Sequence, residues 1–380
     1  MKENVENLEQ WLAQAKNLAD ELRTRARADE EISTFTVSTT SKATENLAPY
    51  LTPLRHTTYG YIAGAVVFSH TQAILLTSRI DGLVDHILID AEHKIGIHNG
   101  IDGEALAHFG VSAEFPEITG ANGRKSNLTV ACAPVITESH FQDYKPNDMT
   151  VEAAWHFLSN YFQVLSGKRI AIIGSGNIGF KLGLKLVESG CHVELVRRDP
   201  GKGRLMAEAI DLIKPRATAA SGRFNPDPLD ASKECDVLIG CTDGTAVITW
   251  EMMENMKPDG LVIDIAKGSV FKDAVEKAFE RNITILRCDI SSAIDGYVSA
   301  MHRNKDVLNN KMGRREIGKG VFVGSGGYMG LEGDIIVDDF RHPQRIIGIA
   351  DGMGDLERNY SEEDRQKIER LEELINRGEA

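Results

Sequence analysis

Along the middle of the chain, continuous apolar runs are interspersed with segments in which apolar residues recur at helical spacing. The continuous apolar run Ile170–Ile173 is followed by a glycine-rich turn, and Cys191–Val196 forms the next apolar run. Between them, apolar residues recur at helical spacing at Ile178, Leu182, Leu186 and Val187. Short continuous apolar runs are typical of parallel strands covered on both faces. The pattern therefore predicts strand, tight turn, helix and second strand, with Gly190 ending the helix.

The same alternation continues to about residue 288. Apolar runs predict strands at Asp236–Gly240, Gly260–Ile265 and Ile283–Cys288, and helical periods predict helices at Leu205–Ile213 and Asp273–Glu280. Strands that alternate with helices indicate a doubly wound parallel sheet.

The N-terminal part of the chain has the same mixed character. Residues 3–28 form an amphipathic helix pattern, and strands are predicted at Thr34–Ser38, Val84–Asp90 and Leu128–Val135. Two further apolar segments do not distinguish strand from helix, namely Tyr61–Phe68 and Gln72–Leu76. Thr150 is predicted to cap a helix that leads into the central strand. Together the elements predict an α/β fold of two Rossmann-like lobes, each with a doubly wound parallel sheet, and a cleft between them.

The C-terminal part predicts shorter elements. Val321–Gly330 is a strand followed by a glycine-rich turn, and short strands follow at Ile335–Val337 and Ile346–Ile349. Ser361 and Asp364 have the spacing of a capping box before a last helix.

Composition describes an ordinary globular protein of two domains. The 380 residues are 42% hydrophobic and 26% charged, with a formal net charge of −13. This acidity argues against a nucleic-acid or membrane-surface partner. Five cysteines without CxxC spacing favour free thiols in a reducing compartment and no metal site. Without a secretory signal or an apolar run of about 18 residues, we expect a cytoplasmic protein, and its N-terminal helix suggests a homo-oligomer.

The turn after Ile173 contains the sequence G-x-G-x-x-G at Gly174, Gly176 and Gly179. In a strand-turn-helix unit, the first glycine permits the turn, the second admits a pyrophosphate, and the third lets the helix approach the strand. The N–H groups and the positive dipole end of the helix then bind the anion. We therefore predict a dinucleotide site at Gly174, Ser175, Gly176, Asn177, Ile178 and Gly179.

The residues at the end of the second strand predict which dinucleotide binds. An NAD enzyme usually has Asp or Glu about 20 residues after the glycines, to bind the ribose 2′-hydroxyl. Here Arg197 and Arg198 occupy that place. A guanidinium binds a 2′-phosphate that a carboxylate would repel. We predict NADP, with NAD as the alternative if Asp199 binds the ribose instead. Cys241, Thr242 and Ala266, at the ends of the next two strands, complete the predicted cofactor site.

From about Thr150 to Asp289 the chain resembles the D-2-hydroxyacid dehydrogenase superfamily, of the formate and glycerate dehydrogenase type. The resemblance rests on SGKRIAIIGSGNIG and on the more specific segment MKPDGLVIDIAKG, and it covers somewhat over a third of the chain. The S-adenosylhomocysteine hydrolase and dipicolinate synthase groups look similar. The resemblance implies a nucleotide lobe at residues 150–329 and a substrate lobe at residues 1–149, to which residues 330–380 return.

The family's catalytic residues are replaced in this chain. The arginine of the family's A-R-G motif, which fixes the substrate carboxylate, corresponds to Lys267. The turn that carries the family's catalytic histidine is matched best by Gly324–Gly330, which contains no histidine and in which we expect Tyr328 to be the proton donor. Lys267 keeps the positive charge without the fork of a guanidinium, and it can act as an acid or base when desolvated.

Further polar residues follow the strands of the first lobe. Glu92 and Lys94 come directly after Val84–Asp90, and with Lys267 they are the predicted catalytic residues. Basic residues Lys42, Arg124 and Lys125 make a small anionic substrate attractive. We therefore expect an NADP(H)-dependent oxidoreductase that acts on a carbonyl or imine carbon. The alternatives are a lyase or epimerase that retains its cofactor, as in the S-adenosylhomocysteine hydrolase group, and a nucleotide sensor without catalysis.

Overall fold

The structure is a computed structural model that describes residues 5–39, 48–92, 101–112, 128–281, 283–288, 290–318 and 320–380. The chain divides into two compact units, Met1–Asp295 and Gly296–Ala380. None of the helices in the described ranges combines the length and the apolarity needed to cross a bilayer. The predicted site residue Lys94, and the basic residues Lys42, Arg124 and Lys125, lie outside the described residues.

A five-stranded sheet organises the first part of the larger unit. Its strands are β1 (Ile32–Ser38), β2 (Tyr50–Thr57), β3 (Gly60–Val66), β4 (His86–Asp90) and β5 (His140–Tyr144). They lie in the order β2-β3-β1-β4-β5, with β2 antiparallel to β3 and all other neighbours parallel. Helices α1 (Val5–Ala28), α2 (His70–Ile80), α3 (Gly103–His108) and α4 (Leu128–Cys132) contribute apolar side chains to the same core.

Two predictions in this part were wrong. Leu128–Val135 is not a strand but the short helix α4 and a 3₁₀ turn. Its apolar run fits either element, and Pro134, which lacks an N–H for a strand ladder, falls in the turn. Thr150 does not cap the connecting helix α5 (Pro146–Phe162), since it lies inside the helix and its hydroxyl donates to the Pro146 carbonyl at 2.8 Å.

A six-stranded parallel sheet follows; the sequence predicted a doubly wound parallel sheet here, but not its edge strand Gly222–Asn225. Its strands are β6 (Arg169–Ile173), β7 (His192–Val196), β8 (Gly222–Asn225), β9 (Val237–Gly240), β10 (Leu261–Asp264) and β11 (Thr284–Arg287). Their order is β8-β7-β6-β9-β10-β11, and each neighbouring pair is parallel. The helices are α6 (Asn177–Glu188), α7 (Pro200–Ile213), α8 (Pro228–Ala231), α9 (Trp250–Glu254) and α10 (Lys272–Glu280). The strand order reverses between β6 and β9, and open sheets of this kind bind ligands at such a switch point.

Alternate residues of each strand fill two separate cores. Ile170 and Ile172 belong to one cluster, with apolar residues of α5, α6 and α7. Ala171 and Ile173 belong to the other, with residues of α9 and α10. Both faces of the sheet are therefore covered, which explains why β6 is continuously apolar in the sequence.

Residues Gly296–Ala380 form the smaller unit, with a sheet that the sequence did not predict as a whole. Its strands are β12 (Gly313–Glu316), β13 (Phe322–Ser325), β14 (Ile335–Val337) and β15 (Ile346–Ile349), in that order. Helix α11 (Ser291–Asp306) leads into the unit, and α12 (Glu362–Arg377) ends it. Ser361 and Asp364 form the predicted capping box of α12. The lobe boundaries drawn from the sequence remain a prediction.

Candidate functional site

The turn between β6 and α6 needs its glycines for three different reasons. Gly174 has φ +99°, and a Cβ there would lie 2.7 Å from the backbone of Cys241. A Cβ at Gly179 would lie 2.7 Å from the Gly174 carbonyl oxygen, so the helix can approach the turn only with glycine at this position. At Gly176, by contrast, an added Cβ would meet nothing within 4 Å. The first and third glycines thus serve the fold, and the second leaves space beside the helix.

The N-terminus of α6 faces this space without a protein cap. Gly176 is the N-cap residue and offers no side chain, and the first turn contains no acidic residue. The predicted ligands Asn177 and Ile178 are the first two residues of the helix. Unpaired N–H groups and the positive end of the helix dipole make such a terminus an anion site. The space at Gly176 and the uncapped helix therefore fit the pyrophosphate of a dinucleotide.

The end of β7 holds the turn in place. The N–H groups of Gly174 and Ser175 donate to the Val196 carbonyl at 3.1 and 2.9 Å. Arg197 is half-buried, and its Nη1 donates to the Ser175 carbonyl and contacts the Met206 sulfur at 3.8 Å. The Arg197 Nε is buried and has no hydrogen-bond partner within the described part of the chain. The guanidinium of Arg197 therefore braces the glycine turn.

The neighbouring arginine has a different environment. The side chain of Arg198 is 93% exposed, and its Nη2 lies 3.5 Å from Oδ2 of Asp243. Asp199 caps α7 by accepting from the Lys202 N–H at 3.1 Å. That N–H holds the pKa of the Asp199 carboxyl below its usual range. Arg198 is thus an exposed cation at this edge, and Asp199 caps its helix.

These residues line one cleft of about 490 Å³ at the carboxyl ends of the strands. Its walls come from the glycine turn, the loop after β7, two prolines after β8 and the loop after β9. The predicted residues Cys241 and Thr242 line it, and burial raises the pKa of the Cys241 thiol to about 12, so that it stays neutral. The sequence prediction missed other lining residues, of which Lys202, Asp243 and Thr245 matter below.

Lys267 lies at the end of β10 in an unusual backbone conformation. Its φ of 60° falls in the left-handed region that favours glycine. Asp264 shapes the loop, because its carboxylate accepts from the Gly268 N–H at 2.7 Å and from the Ser269 hydroxyl at 2.7 Å. The preceding Ala266 donates its N–H to the Gly240 carbonyl, beside the start of the Cys241 loop. Lys267 itself is exposed at the same sheet edge, next to the cleft but not lining it.

Glu92 has a role in capping the connecting helix. Its Oε2 accepts from the Asn147 N–H at 3.0 Å, in the first turn of α5. The Asn147 side chain in turn donates to Oδ1 of Asn177 at 3.5 Å, at the start of α6. Glu92 therefore links the first sheet to the helix of the glycine turn. Tyr328 belongs to the smaller unit, where it is exposed.

Comparison with known proteins finds similarity in the region of this cleft. Residues 169–268, from β6 to the loop after β10, match the family described as NADP oxidoreductase, coenzyme F420-dependent. A glyoxylate/hydroxypyruvate reductase of Arabidopsis thaliana is 26% identical over 163 residues, which cover 41% of this chain and 46% of the relative. The chain thus spans about half the length of the curated relative that it matches.

Solved structures match at lower identity. The A chain of dipicolinate synthase from Bacillus subtilis has a TM-score of 0.34 and 11% identity, covering 72% of this chain and 79% of that one. A phosphoglycerate oxidoreductase from Vibrio cholerae has a TM-score of 0.32 and 14% identity, covering 67% and 82%. Neither value identifies a substrate or an activity.

Proposed function

We propose that this chain is an NADP(H)-dependent oxidoreductase that transfers a hydride to or from a carbonyl or imine carbon of a small, anionic metabolite. The observation that carries the proposal is the uncapped N-terminus of α6 at Gly176, which shares a cleft with Arg198 and Lys202. The NADP oxidoreductase family match and the similarity to a hydroxyacid reductase support a pyridine-nucleotide oxidoreductase.

Two phosphate groups of the nucleotide would be held by different parts of the cleft. The first N–H groups of α6 would bind the pyrophosphate. Arg198 and Lys202 would bind the ribose 2′-phosphate, because both are cations that line the cleft beyond the end of β7. The capping role of Asp199 supports NADP over NAD, since the carboxylate that would bind a ribose diol is already bonded to the Lys202 N–H.

When bound, the nicotinamide supplies or accepts the hydride. The protein must then orient the reacting carbon and move a proton at its oxygen or nitrogen. We assign this proton to Lys267, whose ammonium can polarise the carbonyl and donate. Its left-handed backbone costs of order 1 kcal/mol, and disfavoured conformations of this kind cluster at functional positions. For Glu92 the contact with Asn147 supports positioning of α5, and the assignment of Lys94 stays a prediction.

Calorimetric titration of NADPH and NADH tests the cofactor assignment. The wild type should bind NADPH more tightly, and Arg198→Ala with Lys202→Ala should weaken NADPH by about tenfold or more while leaving NADH unchanged. Arg197→Ala should weaken both nucleotides, because it loosens the turn that they share. Tighter binding of NADH by the wild type would overturn the choice of cofactor. Uptake of neither would overturn the enzyme assignment, and bound nicotinamide that does not exchange would favour a cofactor-retaining lyase.

Lys267→Met tests the catalytic assignment. Turnover should fall about 10²- to 10⁴-fold, the usual contribution of a positioned acid, while the Kd for NADPH stays the same. Methionine has the same backbone strain as lysine at this position, so the change isolates the amine. Glyoxylate and hydroxypyruvate are the first substrates to assay, given the similarity to their reductase. Lys272→Met, an exposed lysine on α10, is the matched control. Unchanged turnover in Lys267→Met would remove Lys267 from the mechanism.

A further inference from the structure

The loop after β9 presents a carboxylate to the cation of the loop after β7. Oδ1 of Asp243 accepts from the Thr245 hydroxyl at 2.7 Å and from the Thr245 N–H at 3.3 Å. The hydroxyl of Thr242 donates to the Thr245 carbonyl at 2.8 Å and closes the turn. Asp243 is therefore fixed through one oxygen, and the other, Oδ2, lies 3.5 Å from Nη2 of Arg198.

The topology places this contact over the nucleotide cleft. In the order β7-β6-β9, the two loops flank the glycine turn that follows β6. Arg198 and Asp243 both line the cleft, so their ion pair connects its two sides above the turn. A phosphate that reaches Arg198 must come close to the Asp243 carboxylate.

We propose that Asp243 is a specificity-determining residue that opposes the ribose 2′-phosphate. The inference rests on the proposed use of NADP(H). Asp243 pairs with the guanidinium that would bind the phosphate, and its negative charge repels the phosphate. The repulsion between a carboxylate and a doubly charged phosphate about 6 Å apart in water weakens binding of the phosphate about tenfold. Physiological salt reduces the effect to about three- to fivefold.

The ion pair does not offset this repulsion, because it does little to hold the Arg198 side chain in place for the phosphate. Both side chains are largely exposed, and exposed ion pairs contribute little to order or stability. The net effect of Asp243 is therefore to weaken the binding of both NADP⁺ and NADPH. This favours release of the cofactor after each turnover, as an exchangeable NADP(H) requires.

Asp243→Asn tests the proposal, since the amide keeps the shape and the Thr245 contacts but loses the charge. Calorimetric titration should show NADPH bound about three- to fivefold more tightly, with NADH unchanged and with a larger gain at low salt. Asp273→Asn is the matched control, because it removes an exposed carboxylate that pairs with Lys277 on α10. It should change neither nucleotide.

The outcomes separate this inference from the proposed function. If the wild type prefers NADPH and Asp243→Asn binds it equally or more weakly, Asp243 does not oppose the phosphate and the inference is wrong. Equal gains for NADPH and NADH would also overturn it, because the effect would not depend on the 2′-phosphate. If the wild type binds neither nucleotide, the proposed function fails and the inference falls with it.

Discussion

Gly176→Ala separates the binding role of the glycine turn from its structural role. Gly176 has φ −88°, which alanine adopts readily, and the added methyl would meet no protein atom within 4 Å. The free energy of unfolding should therefore stay the same or rise by about 0.4–1 kcal/mol, because alanine restricts the unfolded chain. The protein should fold as the wild type does.

Nucleotide binding should respond in the opposite direction. The methyl would occupy the space beside the first N–H groups of α6, where we place the pyrophosphate. A hydrogen bond to a charged group contributes about 1.5–3 kcal/mol. Displacing the pyrophosphate from one N–H should thus weaken NADPH about 10- to 150-fold. Because the pyrophosphate is common to both nucleotides, NADH should weaken by the same factor.

Two measurements check this prediction. Urea unfolding followed by circular dichroism gives the stability, and calorimetry gives the two dissociation constants. Gly103→Ala is the control, since this glycine also has open space around its Cβ position and starts α3, away from the cleft. NADPH binding within twofold of the wild type would refute the placement of the pyrophosphate. A clear loss of stability would refute the inference that position 176 is open.

Two further predictions concern titratable groups, the half-buried Asp236 and the buried Cys132. Burial works to raise the pKa of Asp236, but the Arg169 N–H and the Lys257 ammonium, both 2.8 Å away, lower it overall. Its stabilisation is therefore present above about pH 4 and lost as the pH falls through the lower native pKa. Asp236→Asn should lower the free energy of unfolding by about 1–2 kcal/mol at pH 7, and the stability of the variant should fall less at acidic pH than that of the wild type. Urea unfolding at several pH values measures both, and an unchanged loss of stability at acidic pH would contradict the prediction. Burial raises the pKa of the Cys132 thiol to about 12, so stability should fall as the pH rises from about 8.5 towards 12. Iodoacetamide at pH 8 should modify Cys132 only after unfolding, as mass spectrometry would show, and rapid labelling of the native protein would count against its burial.

Most of the six-stranded sheet could be predicted because its signals are local. The apolar run of β6, the glycines and the helical period of α6 each specify one element, and they agree with one another. Strand β5 had no such signal, since His140–Asp143 are exposed and only Tyr144 is buried. The strands of the smaller unit depend on pairing between distant segments, so Gly313–Glu316 could not be recognised by itself.

The sequence could not separate the two arginines at the end of β7. Adjacent residues at a strand end point to opposite sides, and the pattern does not say which side meets the turn. In the structure Arg197 contacts the Ser175 carbonyl, and Arg198 faces solvent. The role of Asp199 did have a signal, because an aspartate before Pro200 is a typical start of a helix. The prediction from sequence did not use that signal and kept Asp199 as the alternative ribose ligand.

The bracing of the glycine turn has a consequence for the thermodynamics of ligand capture. Val196 and Arg197 fix the peptide groups of Gly174 and Ser175 through bonds that the protein makes by itself. An incoming dinucleotide would therefore meet a turn that is already fixed beside the N-terminus of α6 and would lose little affinity to loop ordering. The heat-capacity change of association should then reflect only the surface that the nucleotide covers, without a contribution from coupled folding.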